Sequence, residues 1–201
     1  MHLLGCGDPV MAGIVRDVGP LDSEHRRRGR PADAYGALVR TIVGQQLSTT
    51  AARTIYARLS ALFGNRAPEP EEILTADEKA LRAAGLSRSK ISYLKDLAGR
   101  VVAGELDLAS LEALLDEEVL DVITSVRGLG RWSADMFLIF HLGRPDVLPV
   151  GDLGIRRAVE RAYGLDELPD AKTLDDIAAS WRPRRTLACL YLWESLDNNP
   201  G

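Results

Sequence analysis

From residue 34 onward, apolar residues recur at three- and four-residue intervals, and no pair of alternating segments is joined by hairpin turn residues. The pattern predicts helix after helix. Asp33 is placed to cap a helix over about 34–46, with Leu38, Ile42 and Val43 on one face. Ser48 caps a second, TTAARTIYARLSALFG, which stops at Gly64. Pro68 and Pro70 mark a loop, and EEIL and ADEKALRAA read as short helices before Gly85. Ser87 begins SRSKISYLKDLAGRVVAG, whose core stripe is Ile91, Leu94, Leu97 and Val101. Asp116 opens DEEVLDVITSV, and another helix starts around Arg131. After GRPDVLPVGD come IRRAVERAYG, LDDIAASW and RRTLACLYLWESL. The first thirty residues read as irregular, with HRRRGRP (25–31) a basic entry. The expectation is an all-α fold of roughly ten helices without internal repeats.

With 201 residues, 46% of them hydrophobic, the chain can bury a core as one domain or as two small lobes. The net charge of −4 leaves nucleic acid open as a partner, because only the patch facing phosphates must be positive. Lysine occurs only at 79, 90, 95 and 172, the other basic residues being arginine, a skew that a GC-rich genome produces by itself. Two cysteines, Cys6 and Cys189, cannot furnish an iron–sulfur cluster or a zinc site. Cys189 reads as a core residue in a reducing cytoplasm. MHLLGCGDPV lacks the basic start of a targeting signal, and the longest apolar run, Leu187 to Trp193, is too short for a membrane span.

VRGLGRW (126–132) stands between two helical patterns. No strand precedes it, which removes the dinucleotide fingerprint, and no Gly-Lys-Ser/Thr follows, which removes the P-loop. What remains is a helix, a hairpin containing Gly128 and Gly130, and a second helix. Amides at the start of that second helix can receive an anion such as a DNA phosphate. A plain helix corner with a glycine cap accounts for these seven residues equally well.

Three further stretches bear on the choice: IVGQQLS (42–48), GLSRSKISYLKDL (85–97) and VLPVGDLGIR (147–156). With VRGLGRWSAD between the last two, their order and spacing resemble the helix-hairpin-helix DNA glycosylase superfamily, and within it the 3-methyladenine DNA glycosylase II family. The resemblance spans about residues 34–196. It implies two helical lobes, about 1–45 with 151–201 and about 46–150 including the hairpin, with DNA and a flipped base in the cleft between them. It implies that Asp152 is the catalytic carboxylate. It places Arg127, Gly128, Leu129, Gly130 and Arg131 against the DNA backbone. Carbonyls of Arg127, Leu129 and Trp132 would hold Na+ or K+, with no other cofactor required. The turn Gln45, Gln46, Leu47, Ser48 would enter the minor groove, with Gln46 or Leu47 filling the space left by the flipped nucleotide. Read alone, the glutamines are surface polar residues and Asp152 is a helix cap.

A glycosylase flips its nucleotide and stabilises an oxocarbenium-like sugar, which a carboxylate does well. Strand-cleaving members of the superfamily resemble one another in a lysine two residues past the second hairpin glycine. Here that residue is Trp132, and no lysine lies between Lys95 and Lys172, so a monofunctional, water-using enzyme is expected. Trp132 and Met136 are the candidate base-pocket residues. An electron-rich indole attracts a cationic alkylated purine by about 0.5–2 kcal/mol, while plain core packing is the duller role for it. The family's aromatic after Trp-x-Pro is replaced, since Trp181-Arg182-Pro183 is followed by Arg184 and Arg185, which could meet phosphate or narrow the pocket. The expected partner is double-stranded DNA carrying damaged bases, bound by a monomer in the bacterial cytoplasm at the nucleoid, with no membrane. The alternatives are a glycosylase for another lesion, a non-catalytic DNA-structure-binding module, and a generic all-α protein. The oxidised-guanine and iron–sulfur types are disfavoured by the missing lysine and the missing four-cysteine set.

Overall fold

In the computed structural model, which describes residues 7–21 and 31–197, side-chain caps start the helices where the sequence places them. Asp33 accepts from the Gly36 amide, Ser48 from Ala51, Ser87 from Lys90, Asp152 from Ile155 and Asp170 from Thr173. Each satisfies an amide with no partner inside its helix and contributes about 1 kcal/mol. The helices are α1 (Pro9–Val18), α2 (Ala34–Gly44), α3 (Thr49–Ala61), α4 (Pro70–Thr75), α5 (Glu78–Ala83), α6 (Arg88–Val102) and α7 (Asp116–Thr124). They continue with α8 (Arg131–Phe140), α9 (Leu153–Tyr163), α10 (Ala171–Ala178) and α11 (Arg185–Asp197), with 3-10 turns at Ser110–Ala113 and Ala179–Trp181. Among the described residues there is no strand.

Two expectations fail locally. The irregular N-terminus contains α1, capped by Asp8 with Pro9 in its first turn. The flanking glycines hide a helical spacing that buries Met11. The basic stretch at 25–30 lies outside the described residues, as does Cys6. Helix α2 also ends earlier than its pattern suggests. Gln45 leaves it with φ −51° and ψ 131°, and Gln46 turns back with φ 57°.

The described residues form two compact units, 7–21 with 143–197, and 31–142. The expected boundaries at 45/46 and 150/151 therefore move. Helix α2 belongs wholly to the second unit, where it packs on α3, α6 and α8 and buries Leu38, Val39, Ile42 and Val43. Residues 143–150 belong to the first unit. There Thr186 Oγ1 donates to the Arg144 carbonyl and accepts from the Val147 amide, and Leu148 joins the core of Met11, Ile155, Val159, Leu174, Trp181, Cys189 and Leu192. Cys189 is fully buried, as its apolar context predicts.

Candidate active site

In the unit of residues 31–142 the glycine turn is a tight reversal between α7 and α8. The Leu129 amide donates to the Val126 carbonyl, and Gly128 has φ 83°. A Cβ on Gly128 would lie 2.2 Å from the Tyr93 ring, so glycine is required there twice over, by conformation and by space. Gly130 is different. It caps α8 with φ −107° and ψ −174°, has nothing within 4 Å of a built Cβ, and supplies no side-chain acceptor to the helix start. That uncapped start suits an anion. Arg127 and Arg131 are exposed beside it, the Arg127 amide donating to Asp96 and the Arg131 guanidinium 3.5 Å from Asp135. Leu129 differs from its two arginine neighbours. Its side chain is only 4% exposed, so apolar burial claims it and only its backbone can serve a phosphate or a cation.

The second predicted turn meets this hairpin. Gln45 Nε2 donates to the Gly128 carbonyl at 2.7 Å and to Ser133 Oγ at 3.2 Å. Gln45 is therefore no free surface glutamine, since its amide nitrogen is committed to the hairpin. Gln46, Leu47 and Ser48 are exposed, and Ser48 spends its hydroxyl on capping α3. The Gly128 carbonyl, taken by Gln45, is not one of the three assigned to a cation. Arg127, Leu129 and Trp132 would offer neutral carbonyl oxygens, a donor set that suits Na+ or K+. The described residues contain no His, Cys, Asp and Glu grouping for a divalent metal.

Trp132 and Met136 line one pocket, together with Leu47 and Phe140. Arg40, Arg53 and His141 share its walls. Burial pulls the Arg40 guanidinium down from its ordinary value, while the Tyr56 ring beneath it, 5.2 Å away, acts the other way. Burial also lowers His141, against the pull of Asp33 and Glu112. The lining combines aromatic rings with two arginines, so the attraction of Trp132 for a positively charged purine is opposed by the two guanidiniums.

In the unit of 7–21 and 143–197, Asp152 is the N-cap of α9. Its Oδ1 accepts from the Ile155 amide at 2.9 Å and from Trp193 Nε1 at 3.0 Å. Asp152 is thus a helix cap, and the cap fixes its carboxylate at a helix start, where a negative charge is favoured. Trp193 escaped the sequence reading because it closes an apolar run that looks like core. Gly154 escaped it too, although a Cβ there would stand 3.0 Å from Asp152 Oδ1 and 3.2 Å from the Trp193 indole. The segment entering Asp152 is anchored on α11. Arg185 makes paired hydrogen bonds to the Asp146 carboxylate at 2.9 and 3.1 Å. Burial would raise Asp146, but hydrogen bonds and charge from Arg185, helped by Arg182, hold it below the usual carboxylate range. Arg185 is thus structural, which removes one of the two arginines considered for phosphate. Trp181 is likewise core, donating to Asp8.

No helix among the described residues is long and apolar enough to cross a membrane. Residues 39–183 match the model of the HhH-GPD superfamily of base excision DNA repair proteins. The chain is 35% identical over 197 residues to DNA-3-methyladenine glycosylase 1 of Schizosaccharomyces pombe, covering 97% of this chain and 85% of that protein. It is 27% identical over 199 residues to DNA-3-methyladenine glycosylase 2 of Escherichia coli, covering 94% of this chain and 67% of that protein. The solved structure of the Schizosaccharomyces pombe 3-methyladenine DNA glycosylase Mag1 in complex with abasic DNA superposes with a TM-score of 0.89 and 32% identity, covering 96% of this chain and 94% of that one. A hairpin built as the sequence predicts, a helix-capping Asp152 and a relationship over nearly the full length agree: this chain belongs to the HhH-GPD superfamily of base excision DNA repair proteins.

Proposed function

We propose that the protein is a monofunctional DNA glycosylase that hydrolyses the N-glycosidic bond of alkylated bases of the 3-methyladenine type. The observation that carries the reading is Asp152, held at the start of α9 by the Ile155 amide and the Trp193 indole. Two donors on one oxygen fix the carboxylate before substrate arrives. Such preorganisation stabilises an oxocarbenium-like sugar and orients water. Alkylation at N3 or N7 weakens the bond by making the purine a better leaving group, so the pocket of Trp132 and Met136 needs to select shape more than hydrogen-bonding pattern.

In this reading the α8 start, with Gly128, Gly130, Arg127 and Arg131, grips one strand of a damaged duplex. Carbonyls of Arg127, Leu129 and Trp132 would hold Na+ or K+, whose charge would attract a phosphate. Gln46 and Leu47 enter the minor groove when the nucleotide flips. The enzyme works as a monomer in the cytoplasm, at the chromosome.

The test is release of 3-methyladenine and 7-methylguanine from methylated duplex DNA by wild type and Asp152→Asn, with strand breaks scored before and after hot alkali. Release by wild type alone, with breaks only after alkali, is expected. Equal release by both proteins would remove Asp152 from the chemistry. DNA binding without release would favour another lesion or a binding module.

A further inference from the structure

Helix α6 carries the second stretch of the resemblance, GLSRSKISYLKDL, and nothing in the chemistry above uses it. Three of its residues reach toward the two DNA-facing turns. Lys90 Nζ donates to the Val43 carbonyl at 2.7 Å and to the Gln45 carbonyl at 2.9 Å. Tyr93 lies with its ring against Gly128. Asp96 Oδ2 accepts from the Arg127 amide at 3.1 Å. Their i, i+3, i+6 spacing makes a row along the helix. The contacts divide cleanly: Tyr93 and Asp96 hold the hairpin, and Lys90 holds the end of α2.

That end requires holding. The last carbonyls of a helix lack partners within it, and Gln46 sits at φ 57°, a conformation that L side chains rarely adopt. The turn's own backbone bond, Leu47 amide to Gly44 carbonyl at 3.2 Å, is long. A cation on the final carbonyls satisfies them and opposes the negative helix end. Burial draws the Lys90 ammonium down from its ordinary value, as expected for a cation withdrawn from water onto backbone oxygens.

We infer that Lys90 is a positioning residue that locks the Gln45–Ser48 turn in its inserting shape, so that the residue filling the flipped-base gap is preorganised before DNA binds. The inference rests on the glycosylase reading for its catalytic consequence, but not for the lock itself. Lys90 need not touch DNA or the lesion. Its effect is confined to the step in which the turn replaces a base inside the stack.

The experiment uses the full chain with Lys90→Met, which keeps the stem and removes the donors, and Lys90→Gln, which keeps an uncharged amide donor group, should the first not fold. Hydrogen exchange of the Leu47 amide reports the lock directly. It is expected to quicken about tenfold in Lys90→Met, the loss of a charge-assisted bond, while α8 amides stay as in wild type. Excision is then measured with the alkylated purine either paired or opposite an abasic site. Loss of about tenfold is expected for the paired lesion and of less than about threefold for the unpaired one, which resists flipping least. Unchanged Leu47 exchange, or equal losses on both duplexes, would overturn the inference. Wild type that releases no alkylated base would defeat the alkylated-base reading, and the exchange measurement would still decide the lock.

Discussion

The indole nitrogen of Trp193 and the backbone amide of Ile155 donate to the same oxygen of Asp152, at 3.0 and 2.9 Å. Trp193 is therefore expected to position the carboxylate. Trp193→Phe keeps most of the ring and removes the donor. It should slow base release about tenfold, chiefly in kcat, with duplex affinity nearly unchanged. Gly154→Ala crowds the same oxygen and should slow release as well. Single-turnover excision on methylated duplex checks both, and a full rate in Trp193→Phe would show that the amide alone orients Asp152.

The two hairpin glycines should separate in mutagenesis. Gly128→Ala forces a methyl group into the Tyr93 ring at φ 83° and should cost at least 2 kcal/mol, an order-of-magnitude figure of about the size of backbone strain plus overpacking. Gly130→Ala meets open space and ordinary backbone. Its stability should match wild type, so any loss of affinity for undamaged duplex measures the approach of phosphate alone. Thermal unfolding with duplex titration distinguishes the two. A destabilised Gly130→Ala would count against the space seen at that position.

How much of this was legible in the sequence depends on the range of the interaction. Caps are local, so Asp33, Ser48, Ser87 and Asp152 mark their helices from sequence alone. Partners distant along the chain are not marked. Gln45 reads as a surface amide until Gly128, 83 residues on, is seen to accept from it. Trp193 and Asp152 are 41 residues apart, and nothing in LACLYLW distinguishes an indole that donates from one that merely packs. The unit boundary is unmarked for the same reason, since periodicity says that α2 has an apolar face but not which helices cover it.

The absence of a lysine near the hairpin makes a further prediction. With Trp132 two residues after Gly130 and no lysine from 96 to 171, no imine can form at that position. Borohydride added during turnover should trap no protein–DNA adduct, while base release proceeds. A trapped adduct visible on a denaturing gel would show a strand-cleaving enzyme that uses another amine.

Asp8 makes the last prediction, one of stability. It is 7% exposed, caps α1 through the Val10 and Met11 amides, and accepts from Tyr163, Ser180 and Trp181. Burial pushes its carboxyl up, but the Tyr163 hydroxyl, the Met11 amide, Trp181 and Ser180 together outweigh burial, and the net shift is downward from 3.8. A folded-state value below the unfolded one means that the unfolded chain binds the proton more readily. The stabilisation is therefore complete above the unfolded value and disappears as pH falls through the lower folded value. Asp8→Asn keeps the shape and loses the charge, and should cost about 2–3 kcal/mol at pH 7, the range for a charge-assisted network that loses its acceptor. The cost should shrink as pH drops below about 4, where the unfolded wild-type carboxyl protonates. Denaturant unfolding of both proteins from pH 7 to pH 3 checks the convergence. A gap that stays constant with pH would mean that Asp8 contributes by shape alone.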